Sequence, residues 1–313
     1  MLRKFCLLST LVLSFILAAC AHRQAPVAPV SYRGEQSRHV SAFTRIKVDG
    51  RINVSLHTGS SRPQVILHGD PRDLVYVSTV VVNNTLVVNV GKGYPHFGAI
   101  HADIRGRYLN SFVYHGAGVI NGSNLRSSLL DLSIANAGRT TLQGQIVLRN
   151  LDVSGNGYLQ IGGITSENLH IKLAGKPRVQ LSGVVNLTSL NMDNDAWLSM
   201  YWVKSKMLVV RGRGAAFIQL AGVADRLDVE LWGKAQFHGR YLRANNVFVK
   251  THNQSLAEIA AVNKQHTLAS DNSDINFFNI PSMKTDFMAF NGAVLDMRDW
   301  NMPFMQEYDQ YNK

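Results

Sequence analysis

Leu151-Asp152-Val153-Ser154-Gly155-Asn156-Gly157-Tyr158-Leu159-Gln160-Ile161 is the stretch on which the fold turns. An apolar residue opens it, a second follows two positions on, a glycine breaks the run, and Ile161 resumes it. The phrase returns as Leu169-His170-Ile171…Gly175, Leu208-Val209-Val210…Gly214 and Leu227-Asp228-Val229…Gly233. A return of about nineteen residues, with strand-like phrases in every copy, is the mark of a β-solenoid. Alternate strand residues share a face. The opening column Leu132, Leu151, Leu169, Leu190, Leu208, Leu227, Val247, Leu268 and Phe287 is therefore expected to point inward. So are the residues two positions later and a third column running Leu142, Ile161, Val179, Met200, Ile218, Phe237, Ala257, Phe278 and Met297. The expected fold class is all-β, a parallel β-helix-like solenoid of about 19–20 residues per coil.

The glycines Gly138, Gly157, Gly175, Gly214 and Gly233 mark a corner that needs positive φ or close backbone approach. Ala196, Asn253, Asp274 and Ala293 take the same place in other copies, and the two alanines are expected to be strained there. Three residues into successive copies stand Lys172, Asp193, Arg211, Glu230, Lys250 and Asp271. Their signs alternate, so an outward ladder of opposite charges is expected to help hold the register.

The N-terminus carries an address. Arg3 and Lys4 precede an apolar run from Phe5 to Leu17, and Leu17-Ala18-Ala19-Cys20 resembles a bacterial lipobox. Residues 1–19 are expected to be a signal peptide, with Cys20 the lipidated first residue of the mature chain. Ala21 after the cysteine points to the outer membrane rather than inner-membrane retention, with the facing side left open. Residues 20–42, with Pro26 and Pro29 and no apolar period, are expected to be a tether, followed by one domain over 43–313. Within it, 43–98 reads as N-terminal strands, 109–300 as regular coils and 301–313 as a tail, with Trp300, Phe304 and Tyr308 covering the open end.

The chain has only two cysteines, Cys6 and Cys20, so the mature body holds no disulfide, thiolate metal site or cysteine nucleophile. Loss of Arg3 and Lys4 takes the formal charge from +11 to about +9. A basic body favours an anionic glycan, lipopolysaccharide or cell-wall polymer, or an envelope protein. Nucleic acid is not expected, because no recognition motif accompanies the charge.

Between residues 43 and 98, the runs Arg45–Val48, Ile52–Leu56, Val65–Leu67, Val77–Val82 and Leu86–Val90 alternate with turn signals such as Asp49-Gly50 and Asn83-Asn84. Ile46-Lys47-Val48-Asp49-Gly50, Ile52-Asn53-Val54, His68-Gly69-Asp70 and Asn84-Thr85-Leu86-Val87-Val88 resemble the opening of the GIN domain, a family named as an autotransporter adhesin head. The later phrases Leu169–Gly183 and Leu227–Gly239 resemble its coils, which extends the resemblance to roughly residues 43–240. The resemblance implies a right-handed parallel solenoid, an envelope location and adhesion.

A polysaccharide lyase or hydrolase is the rival reading, and an envelope assembly factor a third. Catalysis needs converging carboxylates, but Asp193 and Asp195 stand four copies from Asp271 and Asp274. His170 is expected beside Asp152, and His238 and His252 lack a second ligand at metal-like spacing. Gly155-Asn156-Gly157 and Gly212-Arg213-Gly214 are expected to be corners, since anion cradles need a following helix. No catalytic residue, metal or cofactor is expected. The candidate ligand-binding residues follow the corner: Arg139, Tyr158, Lys176, Trp197 and Lys234, a ridge of rings and cations suited to sugars and anionic groups.

Overall fold

Residues 33–278 and 284–298 are described by a computed structural model. The leader, Cys20 and Trp300, Phe304 and Tyr308 lie outside them. From Arg139 onward each coil is one long, bent strand: β10 (Arg139–Gly155), β11 (Tyr158–Gly175), β12 (Arg178–Met192), β13 (Trp197–Gly212), β14 (Phe217–Leu231), β15 (Gln236–Thr251) and β16 (Leu256–Ala269). Each pairs in parallel with the next. The expected β-solenoid is formed.

Buried side chains stack in ladders along the interior. One runs Leu151, Ile171, Leu190, Val210, Val229 and Val249, and another Leu142, Ile161, Leu181, Met200 and Leu220. A fully buried side chain of this size contributes roughly 1.5–3 kcal/mol. The ladders differ from the sequence expectation by slips of two residues: Ile171 replaces Leu169 beside Leu151, and Leu181 replaces Val179 beside Ile161. The cause is a doubled glycine. Gly155, not Gly157, pairs with Gly175. A slip of two keeps every apolar side chain on its face and changes only its neighbour.

Charge ladders depend on the neighbour, and here the slip matters. The actual outward column is Asp152, Lys172, Asn191, Arg211, Glu230, Lys250 and Leu268. Asp193 and Asp271 stand at the corner instead, so the unbroken alternation expected across six coils is interrupted at Asn191 and Leu268. Within it, Arg211 Nε lies 3.8 Å from Glu230 Oε2.

The corner is held by a column in left-handed conformation: Gly155, Gly175, Asn194, Gly214, Gly233, Asn253, Asp271 and Asn291. Only Gly, Asn and Asp occupy it, the residue types that tolerate αL. The expected strain at Ala196 and Ala293 is therefore absent: Asn194 (φ 62°) and Asn291 (φ 53°) make the turn. Ala196 is simply buried in the core.

The N-terminal coils are laid down out of order. β2 (Arg45–Asp49) and β3 (Ile52–His57) form a coil that sits inside the stack. On one side lie β6 (Thr85–Val90) and β7 (Ile100–Arg105), on the other β8 (Ser111–Gly116) and β9 (Ile120–Asn136). The outer coil is then closed by antiparallel strands: β5 (Val77–Val82) on β6, and β4 (Gln64–Gly69) on β7. β1 (Gly34–His39) pairs antiparallel with β4, so the end of the expected tether is a strand. Its residues are polar and carry no apolar period. Arg38 ties it down, donating to the backbone oxygens of Val77 (2.6 Å) and Leu74 (3.3 Å) and to Thr79 Oγ1 (3.1 Å).

At the other end, β16 pairs with β17 (Asp274–Phe278) and β18 (Lys284–Ala289), and β19 (Val294–Arg298) lies on β17. Here the sequence register is off by an odd number. Leu268 pairs with outward Lys250, and Gln265 and Thr267 turn inward beside Val247 and Val249. The Gln265 amide and the Thr267 hydroxyl are buried without a hydrogen-bond partner among the described residues.

A candidate ligand-binding ridge

Each coil leaves its corner into a short flat segment, and the first outward residue of that segment forms a column. It runs Arg139, Tyr158, Arg178, Trp197, Phe217 and Gln236 at successive coils, about 4.8 Å apart. The Trp197 and Phe217 rings stack at 5.9 Å with planes 8° apart, and Phe217 meets the His238 ring at 4.6 Å. The Arg139 guanidinium lies 5.1 Å from the Tyr158 ring centre, within cation–π range. Two residues along, a second column brings Gln160, Gln180, the buried Ser199, Gln219, His238 and Glu258 alongside. Tyr158 donates its hydroxyl to Gln180 Oε1 at 3.0 Å, which ties the two columns together.

Rings and amides in parallel rows are a surface that stacks on flat apolar faces and hydrogen-bonds to hydroxyls. Its far end is polar. His238 Nδ1 stands 3.0 Å from Glu258 Oε2, with Arg240 Nε 4.0 Å from the same oxygen. The His238 hydrogen bond, aided by the charges of His238, Arg240 and Arg298, holds the Glu258 carboxyl below its usual range, against the opposing effect of burial.

Three of the five expected ridge residues, Arg139, Tyr158 and Trp197, share this column. Lys176 and Lys234 do not. They stand two residues earlier, on the corner, where Lys176 Nζ pairs with Asp195 Oδ2 at 2.8 Å. Arg178 and Gln236 take their places, Phe217 holds the coil between Trp197 and Gln236, and His238 joins from the neighbouring row. At each corner the column residue stands three positions after the left-handed one, as Tyr158 after Gly155 and Arg178 after Gly175, so a frame set on Gly157 places Lys176 two residues early. The backbone shows the same shift, with Lys176 N–H bonded to Gly155 O and Arg178 N–H to Gly157 O.

The other sequence candidates disperse. His170 lies beside Asn150 and hydrogen-bonds to Ser189 Oγ at 2.7 Å rather than meeting Asp152. His252 bonds to Ser270 Oγ at 2.8 Å. Among the described residues no three His, Cys, Asp or Glu side chains gather as a metal site. Both glycine-rich phrases are strand corners without a following helix. No described helix is long and apolar enough to cross a membrane.

Residues 42–189 match the family model described as "Putative auto-transporter adhesin, head GIN domain". Over this stretch the chain is similar to the GIN domain. The matched stretch takes in the interleaved N-terminal coils and the solenoid as far as β12, so the ridge begins inside it and continues past its end. Among solved structures, a "putative adhesin" of Parabacteroides merdae is 13% identical with a TM-score of 0.47, covering 85% of this chain and 96% of its own. A "putative adhesin" of Parabacteroides distasonis is 15% identical with a TM-score of 0.47, covering 85% and 97%. A "Putative lipid binding protein" of the same species is 12% identical with a TM-score of 0.44, covering 85% and 96%. No curated protein matches the chain.

Proposed function

We propose that the GIN-like stretch and the coils beyond it form a non-catalytic, adhesin-like binding module of the bacterial envelope. In this reading Cys20 bears the lipid that anchors it to the outer membrane. The observation that carries the reading is the ridge itself: Tyr158, Trp197 and Phe217 with Arg139 and Arg178, running beside a row of glutamines on a flat, open face. Such a surface suits an extended ligand lying along the solenoid axis. Rings stack on sugar faces, amides meet hydroxyls, and the two arginines meet carboxylates or phosphates. Anionic polysaccharide and the sugars of lipopolysaccharide have this chemistry. The basic net charge of the chain favours their approach.

Pull-down on lipopolysaccharide, peptidoglycan and acidic glycans tests it, using the compact unit Tyr32–Lys313 at two salt concentrations. One polymer class is expected to retain the protein, less so at high salt. Replacing Tyr158, Arg178 and Trp197 together by alanine is expected to abolish retention. Full retention by that variant would remove the ridge as the site, and shortened glycan products would replace binding with catalysis.

A further inference from the structure

A second bend, at the far edge of the flat segment, also passes through positive φ. Gly144, Gly163, Gly183 and Gly222 make it in their coils, and Trp202, at φ 69°, makes it in β13. The glycines are there for a steric reason: a Cβ at Gly163 (φ 74°) would stand 1.9 Å from the Gly144 carbonyl oxygen. Trp202 lies in a bulge against β14, where Tyr201 and Trp202 together face Ala221 between the pairs Met200↔Leu220 and Val203↔Gly222. A bulky side chain in left-handed backbone is strained where glycine is not, and such strain persists where the side chain has a task. The fold has little use for this ring. Trp202 is 52% exposed and enters no ring stack among the described residues.

Its surroundings say what the ring meets. On the adjacent coils Val184 (59% exposed) precedes Val185, the partner of Val203, and Val223 pairs with Lys204, so that with Tyr201 they present apolar surface at this corner. Lys204 and Lys206 point outward from the same strand, and neither is held in an ion pair among the described residues. The run is rigid: Val203 and Ser205 are buried, and Ser205 Oγ donates to Leu187 O at 2.9 Å and accepts the Leu187 N–H at 3.1 Å. We infer that this corner is where the solenoid body itself rests on an anionic phospholipid surface. Trp and Tyr settle at the headgroup level, the aliphatic side chains enter the acyl boundary, and the lysines meet the phosphates. Valine has no stacking face and no hydrogen bond to give a sugar, so a glycan fits this corner less well than a bilayer. The site is separate from the ridge and does not depend on its ligand.

The test uses the compact unit Tyr32–Lys313, which lacks the leader and Cys20 and so has no acyl chain of its own. It is sedimented with phosphatidylcholine vesicles, with and without phosphatidylglycerol. Binding is expected only to the anionic vesicles and to weaken with salt. Trp202→Gly is expected to reduce it at least about tenfold, with an unchanged or higher melting temperature that shows the fold intact. Lys204→Gln and Lys206→Gln are each expected to reduce it roughly fivefold. Trp197→Ala is expected to leave it unaltered, separating this corner from the ridge. No binding of the wild-type protein to anionic vesicles at low salt would overturn the inference. So would equal binding by Trp202→Gly.

Discussion

The left-handed positions are where single residues decide most. Asn194 makes the corner of its coil at φ 62°, and Ala there is expected to cost about 1–2 kcal/mol while Gly is near neutral. Urea denaturation of Asn194→Ala and Asn194→Gly checks the difference. Trp202 is the mirror case: Trp202→Gly is expected to stabilise the fold by about 1 kcal/mol by relieving the bend. A buried residue offers a further gain. Gln265 carries an unpartnered amide inside the last coils, so Gln265→Leu is expected to raise stability by about 1–3 kcal/mol. A lower melting temperature for that variant would show that the amide is satisfied by something the fold needs. At Glu258, the folded-state carboxyl titrates below its unfolded value. Its contribution is therefore present above the unfolded pKa and lost as pH falls through the lower folded one. Glu258→Gln is expected to flatten the acid side of the stability profile below the unfolded carboxylate's pKa of about 4.3.

At the level of elements, the coils follow from a few sequence facts, and their neighbours follow from others. The inward columns are legible because a strand's period of two survives any even slip. Leu151, Ile171 and Leu190 are core residues whichever partner each takes. The charge ladder is less legible, because Asp193 is outward in either register yet belongs to the corner, not to the column of Lys172 and Arg211. The ridge was legible in part for the same reason. Arg139, Tyr158 and Trp197 share the column, while Lys176 and Lys234 directly follow the left-handed Gly175 and Gly233 and so fall two residues short of Arg178 and Gln236. β1 was not legible at all. Gly34–His39 owes its place to hydrogen bonding along β4 and to Arg38, neither of which leaves an apolar pattern. Arg38→Ala is expected to speed amide exchange in β1 and β5 ahead of the central coils, since it frees the carbonyls of Val77 and Leu74. Uniform exchange in that variant would show that pairing with β4 suffices.

Over the whole molecule, stability is a sum over neighbouring coils rather than the property of one centre. The two ends are built differently. The N-terminal end is closed by antiparallel strands and by β6–β7 laid outside β2–β3. At the C-terminal end, β18 is exposed along its whole length and the interior turns polar at Gln265 and Thr267. Hydrogen exchange is expected to show opening first in β17 to β19 and last in β10 to β14, as a gradient along the axis rather than a single transition.

The sequence by itself determined the solenoid, its inward faces and its corner chemistry, because all three rest on local periodicity and on backbone angles that few residues tolerate. Tertiary structure alone decided which coil lies beside which and which residue beside which. The insertion of β2–β3 between later coils involves contacts far apart in the chain, and register depends on bulges and corner lengths that the period averages away. Both surfaces proposed for binding, the ring-and-amide ridge and the Trp202 corner, are products of that register. Each joins side chains from successive coils, about nineteen residues apart in sequence and about 4.8 Å apart in space.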